Sequence, residues 1–264
     1  MMSLDIVKER IMKLTGNTLF ITGGGSGIGR GLAEALHRLG NTVIIGGRRR
    51  SQLDAVLAAN PGMLAAEIDI ADPASIARVS AQLIAAHPTL NVLINNAGVM
   101  LADTVAGAVD EDTTNTQLGI NFLGSIRLTA ALLEHLKRQP RATVIYNSSV
   151  LGFTPLAPFA VYSATKAALH SYALSQRFAL RATSVRVQEL VPPWVGTGLF
   201  GSSDDPHAMP LDQFIEESLK GLATDAEEIV VAAARQNRDN AGPREHKFVN
   251  DLNQFFTTLV PAGH

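Results

Sequence analysis

One octapeptide limits the chain more than any other feature: Thr22-Gly23-Gly24-Gly25-Ser26-Gly27-Ile28-Gly29. It stands between the apolar run Thr18-Leu19-Phe20-Ile21 and a helical pattern over Ile28–Leu39. A strand that ends in glycines and reopens as a helix is the first half of a βαβ unit. Glycine permits the sharp turn and leaves room for a pyrophosphate to come close to the backbone. The amides that open the helix, at the positive end of its dipole, favour a bound phosphate. The spacing is T-G-x-x-x-G-x-G rather than G-x-G-x-x-G. Such a turn can also merely join a strand to a helix, but its place at the head of a βαβ unit favours nucleotide binding. Thr22, Gly23, Gly25, Ser26, Gly27, Ile28 and Gly29 are the expected phosphate-binding residues.

The rest of the chain repeats the rhythm. Val43-Ile44-Ile45, Val92-Leu93-Ile94, Thr143-Val144-Ile145-Tyr146 and Val185-Arg186-Val187 read as strands, with a weaker one at Met63–Ile68. Helical patterns over Ser51–Ala59, Pro73–Ala86, Asp112–Arg138 and Phe159–Arg181 separate them. Strands apolar on both faces require cover on both sides, and right-handed crossovers then give an α/β fold. The expected architecture is a doubly wound parallel sheet, Rossmann-like, with three α/β/α layers. Neither a repeat nor a low-complexity linker divides the chain, so residues 14–264 are expected to form a single domain. Residues 1–13 are an N-terminal extension that would add a helix. From Pro192 the rhythm breaks into prolines and glycines, then a short helix at Leu211–Leu222. A long irregular insert of this kind is expected to be a mobile substrate lid at about 192–222. Glu227–Gln236 reads as one more helix. The tail from Glu245 to His264 carries Phe248, Val249, Leu252, Phe255 and Phe256 without deciding between strand and helix. Strand order is not legible from pattern.

Composition closes off several classes. The 22 basic and 24 acidic residues leave a net charge of −2, which gives no general attraction for nucleic acid or an anionic membrane. There is no cysteine, hence no disulfide, zinc thiolate or cysteine nucleophile. The seven histidines show no metal-ligand spacing, and no metal is expected. The first ten residues mix acids and bases without an apolar core, unlike a signal peptide. No run of 18 apolar residues suits a membrane span. The expectation is a cytoplasmic protein with no nucleic-acid or membrane partner.

The second strand should end beside the ribose of an adenosine. An NAD site places an acid there, about 20 residues past the fingerprint. Here Gly46-Gly47-Arg48-Arg49-Arg50 follows Ile45, so guanidinium groups stand ready for a 2′-phosphate. NADP(H) is expected over NAD(H), with Arg48 the main contact and Arg49 in support. Arg50 fits a solvated helix start. Asp69-Ile70, ending the third strand, would flank the adenine, or Asp69 would be a plain turn or cap residue. Asn95-Asn96-Ala97-Gly98 ends the fourth strand. There an asparagine can hold the last backbone groups, while Asn96, Ala97 and Gly98 let a cofactor lie against the chain.

Tyr162 and Lys166, four apart on a helical pattern, share one face. Ser149 stands thirteen residues before Tyr162, just past the fifth strand. A phenol near pKa 10 is a poor proton carrier at neutral pH, and a neighbouring ammonium lowers that value. A serine hydroxyl could bond a substrate oxygen. Such a Y-x-x-x-K pair occurs by chance in many helices; with the glycine turn and the strand-end serine it becomes specific.

Taken in order, T-G-x-x-x-G-x-G (22–29), Asn95-Asn96-Ala97-Gly98, Asn121, Ser149, Tyr162-x-x-x-Lys166 and Pro192-Pro193-Trp194-Val195-Gly196-Thr197 resemble the short-chain dehydrogenase/reductase superfamily over roughly residues 14 to 200. The resemblance implies oxidoreduction between a ketone or aldehyde and an alcohol, with NADP(H) as cofactor and Tyr162 as general acid/base. It implies that Lys166 holds the nicotinamide ribose, that Ser149 positions the substrate oxygen, and that Asn121 holds a water relaying protons. Tyr162, Lys166, Pro192, Val195 and Thr197 would touch the cofactor, Thr197 at the carboxamide. Ser148 would bond the backbone instead. Pro193 replaces a usual glycine and stiffens its loop. This Pro-Pro entry, with His87-Pro88, resembles a DltE-like oxidoreductase subgroup. Relatives often end in a seventh strand, and the polar stretch Gln236–Lys247 offers none. Phe153, Leu156, Trp194, Leu199, Phe200 and Met209 are candidates for an apolar substrate pocket. The helix of Tyr162 is apolar around much of its circumference and must bury more than one face. Relatives dimerise there, so a homodimer or homotetramer is expected. The rival readings are a dinucleotide-binding sensor or regulator without turnover, disfavoured by the complete Ser149, Tyr162 and Lys166 set, and a ketoreductase serving an acyl carrier.

Overall fold

The computed structural model describes residues 11–199, 205–240, 242–243 and 245–259. Seven parallel strands form one sheet in the order β3-β2-β1-β4-β5-β6-β7. They are β1 (Thr18–Thr22), β2 (Thr42–Gly47), β3 (Leu64–Glu67), β4 (Leu90–Asn95), β5 (Ala142–Asn147), β6 (Val185–Val191) and β7 (Glu228–Val230). The central strands have no polar face. In β1, Leu19 and Ile21 enter one core while Phe20 enters the other, so helices must cover both sides. On the first side lie α1 (Gly27–Arg38), α2 (Arg50–Ala59) and, further along, α7 (Leu211–Leu222). The second side carries α3 (Pro73–Ala86), α5 (Ser125–Lys137) and α6 (Ala160–Ala179). The doubly wound three-layer α/β/α architecture is the one expected from the sequence.

Helix ends follow local chemistry where it is strong. Asp72 caps α3 by accepting from the Ala74 and Ser75 amides, with Pro73 at the first helical position. Pro88, just past the C-cap His87, bars continuation.

Three expectations are corrected. The helix expected over Asp112–Arg138 is α4 (Glu111–Gln117), then a π-helical turn at Leu118–Gly124, then α5. The extra residue per turn is fixed from outside: Asn121 reaches across to the backbone of Val99, and Gly124 sits where a Cβ would stand 2.4 Å from the Ile70 carbonyl. Glu227–Gln236 is not one helix. Ile229 and Val230 extend against Leu190 and Val191 as β7, and only then come a 3-10 turn at Ala232–Ala234 and the short α8 (Arg235–Asp239). β-Branched residues gain more by pairing with a buried edge than by helix formation. A seventh strand therefore does close the sheet, ahead of the polar stretch Gln236–Lys247. The tail resolves as a helix, α9 (Glu245–Leu259). The helix expected from the N-terminal extension falls mainly on residues 1–10, outside the described residues; Met12 is buried in the first core.

Strand order reverses between β1 and β4, which places a crevice beyond their carboxyl ends.

Candidate active site

That crevice is a cavity of about 700 Å³. Its floor is the glycine turn. Gly23 and Gly27 have φ of +68° and +53°, the left-handed region that glycine adopts without strain. Ser26 precedes α1 in extended conformation and makes no side-chain cap, so the first amides of a twelve-residue helix lack a side-chain acceptor there. Thr22 Oγ1 accepts from the amides of Asn96 and Ala97, both at 3.0 Å, tying the end of β1 to the end of β4. Asn96 returns the bond through Nδ2 to the Thr22 carbonyl at 3.0 Å, and its Oδ1 accepts from Asn147 Nδ2 at 2.8 Å. Gly29 is not on the cavity wall. A Cβ there would lie 2.4 Å from the Gly23 carbonyl, so its smallness lets turn and helix pack. The uncapped helix start and side-chain-free floor fit a dinucleotide pyrophosphate.

Arg48 and Arg49 line one end of the cavity, both exposed and, among the described residues, without an ion-pair partner. Arg50 instead pairs with Asp54 at 2.8 Å. Ile68 and Ile70 supply the apolar wall nearby. Asp69 does not line it: its carboxylate accepts from the Ala71 amide at 2.9 Å, the turn-forming alternative.

At the other end Ser149, Tyr162 and Lys166 share the wall. Ser149 follows β5 in extended conformation and accepts from the Leu151 amide at 3.1 Å, with its hydroxyl near enough to the Tyr162 phenol to favour the ionised form. Ser148 donates to the Leu190 carbonyl at 3.1 Å, a backbone role. Lys166 Nζ lies 5.5 Å from the Tyr162 ring centroid and donates to the Asn147 carbonyl at 2.7 Å. A chain of hydrogen bonds thus runs from Thr22 through Asn96 and Asn147 to Lys166. Burial pushes the phenol up to about 12, and the Ser149 hydrogen bond works against it. Burial pushes the ammonium down to about 8, and the negative charge of Glu189 works against that. The lowering expected of the Tyr162 phenol from a neighbouring cation is therefore corrected: burial raises it, and the group that works against the rise is Ser149 rather than Lys166. Asn121 stands behind the wall. Its Oδ1 accepts from the Val99 amide at 2.8 Å, and Nδ2 donates to the Val99 carbonyl at 2.9 Å and to Thr165 Oγ1 at 3.2 Å.

Glu189 is wholly buried on β6, with one oxygen on His170 Nδ1 at 2.8 Å and the other unpartnered. With Glu228 these form a His/carboxylate cluster, but Arg238 occupies both Glu228 oxygens, at 2.6 and 3.2 Å.

Pro192, Val195 and Thr197 line the cavity from the segment after β6, where Val195 pairs with Met209 in a short bridge. Of the apolar candidates, Leu156, Trp194 and Leu199 face the cavity. Phe153 meets His170 edge to face and lies against the Arg238 guanidinium instead, Met209 is buried in the first core, and Phe200 lies outside the described residues. Reading by pattern missed Met100, Leu101, Asn237 and, above all, Leu252, Phe255 and Phe256 of α9. The i, i+3, i+4 spacing of those last three was the available signal. Among the described residues, no helix is long and apolar enough to cross a membrane.

Residues 17–207 match the short chain dehydrogenase family. The oxidoreductase DltE of Bacillus subtilis (strain 168) is 38% identical over 234 residues, which span 86% of this chain and 93% of that protein. The NADP-dependent 3-hydroxy acid dehydrogenase YdfG of Salmonella typhi is 32% identical over 185 residues, 70% of this chain and 75% of that one. The crystal structure of a short chain dehydrogenase from Burkholderia cenocepacia J2315 in complex with NADP is similar with a TM-score of 0.81 at 26% identity, covering 91% of this chain and 99% of that one. The chain therefore belongs to the short-chain dehydrogenase/reductase superfamily, within a DltE-like subgroup.

Proposed function

We propose that the protein is an NADP(H)-dependent oxidoreductase that interconverts a ketone or aldehyde and an alcohol. The observation that carries this reading is a single cavity lined at one end by Arg48 and Arg49, along its floor by the glycine turn, and at the other end by Ser149, Tyr162 and Lys166. The Burkholderia relative binds NADP and YdfG is NADP-dependent, which accords with the arginines. Bound nicotinamide supplies hydride to a carbonyl carbon or accepts it from a carbinol carbon. Arg48, with Arg49 beside it, pairs with the 2′-phosphate, and the amides opening α1 hold the pyrophosphate. Thr197, Pro192 and Val195 bound the nicotinamide, and Lys166 holds its ribose. In reduction the carbonyl oxygen takes its proton from the Tyr162 phenol while Ser149 donates a hydrogen bond to the same oxygen. A phenol held near 12 is fully protonated at neutral pH, the form that reduction requires. Asn121 keeps the chain beside Lys166 in place for a water that returns the proton. Of the segment at about 192–222, the stretch from Pro192 to Leu199 that borders the cavity acts as the lid, while Leu211–Leu222 is the fixed helix α7, with Phe214 and Leu222 buried in the first core. A cytoplasmic homodimer or homotetramer is the inferred working form, with Leu174 and Phe178 exposed on the outer face of α6.

Steady-state assays of ketone reduction with NADPH and NADH test this. NADPH should be used more efficiently, and Arg48→Ala should raise the KM for NADPH about 10- to 100-fold while leaving NADH nearly unaffected, the worth of one charge-assisted contact. A preference for NADH in the wild type would refute the cofactor assignment. Tight NADPH binding with no turnover of any ketone would favour a sensor.

A further inference from the structure

The substrate end of the cavity is walled by side chains from three separate places. Met100 and Leu101 follow β4, Trp194 and Leu199 lie on the lid segment, and α9 crosses the mouth with Leu252, Phe255 and Phe256. α9 is a fixed wall. Asn253 donates to the Pro155 carbonyl at 3.0 Å and accepts from the Ala157 amide at 2.5 Å, and Phe256 meets the buried Phe159 edge to face at 6.0 Å. Those partners lie on the loop leading into α6, so the wall is keyed to the helix that carries Tyr162. Phe255 is 53% exposed and approaches His207 of the lid segment at 6.4 Å, leaving an aromatic face for a ligand to cover.

Charge is distributed in the opposite way. Among the described residues lining the cavity, the cations are Arg48, Arg49 and Lys166. The arginines stand at the far end beside Gly46 and Gly47, and Lys166 is buried against the Asn147 carbonyl. A carboxylate carried to Tyr162 would lose water and, among the described residues lining the cavity, find no guanidinium or ammonium free to replace it, a costly transfer. Aromatic and alkyl groups would instead gain burial and edge contacts.

We infer that α9 is the specificity element, and that Leu252, Phe255 and Phe256 select uncharged carbonyl compounds bearing a bulky apolar group, aromatic ketones foremost, against oxo acids. The inference rests on the carbonyl-reductase reading above, and it separates this chain from its relative named for 3-hydroxy acids.

The test uses the full chain with NADPH and three probes: ethyl benzoylformate, benzoylformate and ethyl pyruvate. The first two differ in charge, the first and third in the aromatic ring. The expected kcat/KM for ethyl benzoylformate exceeds that for benzoylformate by about 100-fold and that for ethyl pyruvate by about tenfold. Phe255→Ala, at an exposed position that leaves folding intact, should cut the ring preference severalfold while the Kd for NADPH moves less than twofold. Phe255→Arg should raise kcat/KM for benzoylformate by supplying the missing cation. Benzoylformate reduced as well as its ester, or a ring preference unmoved in Phe255→Ala and Leu252→Ala alike, would overturn the inference while leaving the reductase intact. No NADPH consumed with any of the three would instead overturn the reductase reading itself, and this inference with it.

Discussion

Tyr162 and Lys166 are both enclosed, and the same burial moves them in opposite directions because one is charged when protonated and the other when not. With the phenol near 12 and the ammonium near 8, raising pH from 7 first strips the proton from Lys166 while Tyr162 stays neutral. The alkaline limb of kcat/KM for NADPH, which reports groups of the free enzyme, should therefore fall near pH 8 and belong to the lysine. Glu189 holds that value up, so Glu189→Gln should shift the limb to lower pH, because loss of an anion makes the ammonium easier to deprotonate. A limb that stays in place would show that Glu189 does not act on Lys166. Most of the site was legible at this scale. Thr22, Ser149, Tyr162 and Lys166 announce themselves by spacing, and Arg48 by standing where a carboxylate would otherwise be. Asp69 was ambiguous because an aspartate after a strand serves turn or ligand equally well, and only the Ala71 amide decides. Glu189 gave no signal, since a lone acid within an apolar strand declares its partner only when His170 on α6 comes alongside.

At the scale of elements, sequence sufficed wherever the determinant was local. Both ends of α3 were readable because Asp72, Pro73 and Pro88 act within a turn of themselves. The break between α4 and α5 was not, because its apolar period runs on through Leu118–Gly124 and the cause, the Val99 backbone, lies 22 residues away. β7 was misread because three β-branched residues beside Ala232-Ala233-Ala234 lose their helical pattern only by pairing with β6. α9 was undecidable because the surface that claims its apolar residues is the cavity mouth. The π-turn makes its own prediction. Asn121→Ala removes both bonds to Val99 and leaves a backbone N–H and C=O without their partner, at a cost of about 2–4 kcal/mol. Urea denaturation should show that loss as a lowered midpoint. An unchanged midpoint would mean that Asn121 does not hold the turn.

For the whole molecule, strand order does what no single motif can. By placing β1 beside β4, it sets the glycine turn, the Asn96 loop and the end of β5 around one crevice, and the bonds from Thr22 to Lys166 tie them into one unit. On the outer surface of α6, Phe178 is 68% exposed beneath the Arg181 guanidinium, and Leu174 is 45% exposed. Light scattering should report a dimer or tetramer, and Phe178→Asp should shift it toward monomer by placing a charge in an apolar contact. A wild-type monomer at micromolar concentration would remove that role from α6. The convergence of hydroxyl, phenol and ammonium is tested most directly by Tyr162→Phe, assayed for ketone reduction with NADPH while NADPH binding is followed by fluorescence. Binding should stay intact while turnover falls on the order of 10²–10⁴-fold, the worth of a positioned proton donor; near-normal turnover would rule out the phenol as that donor.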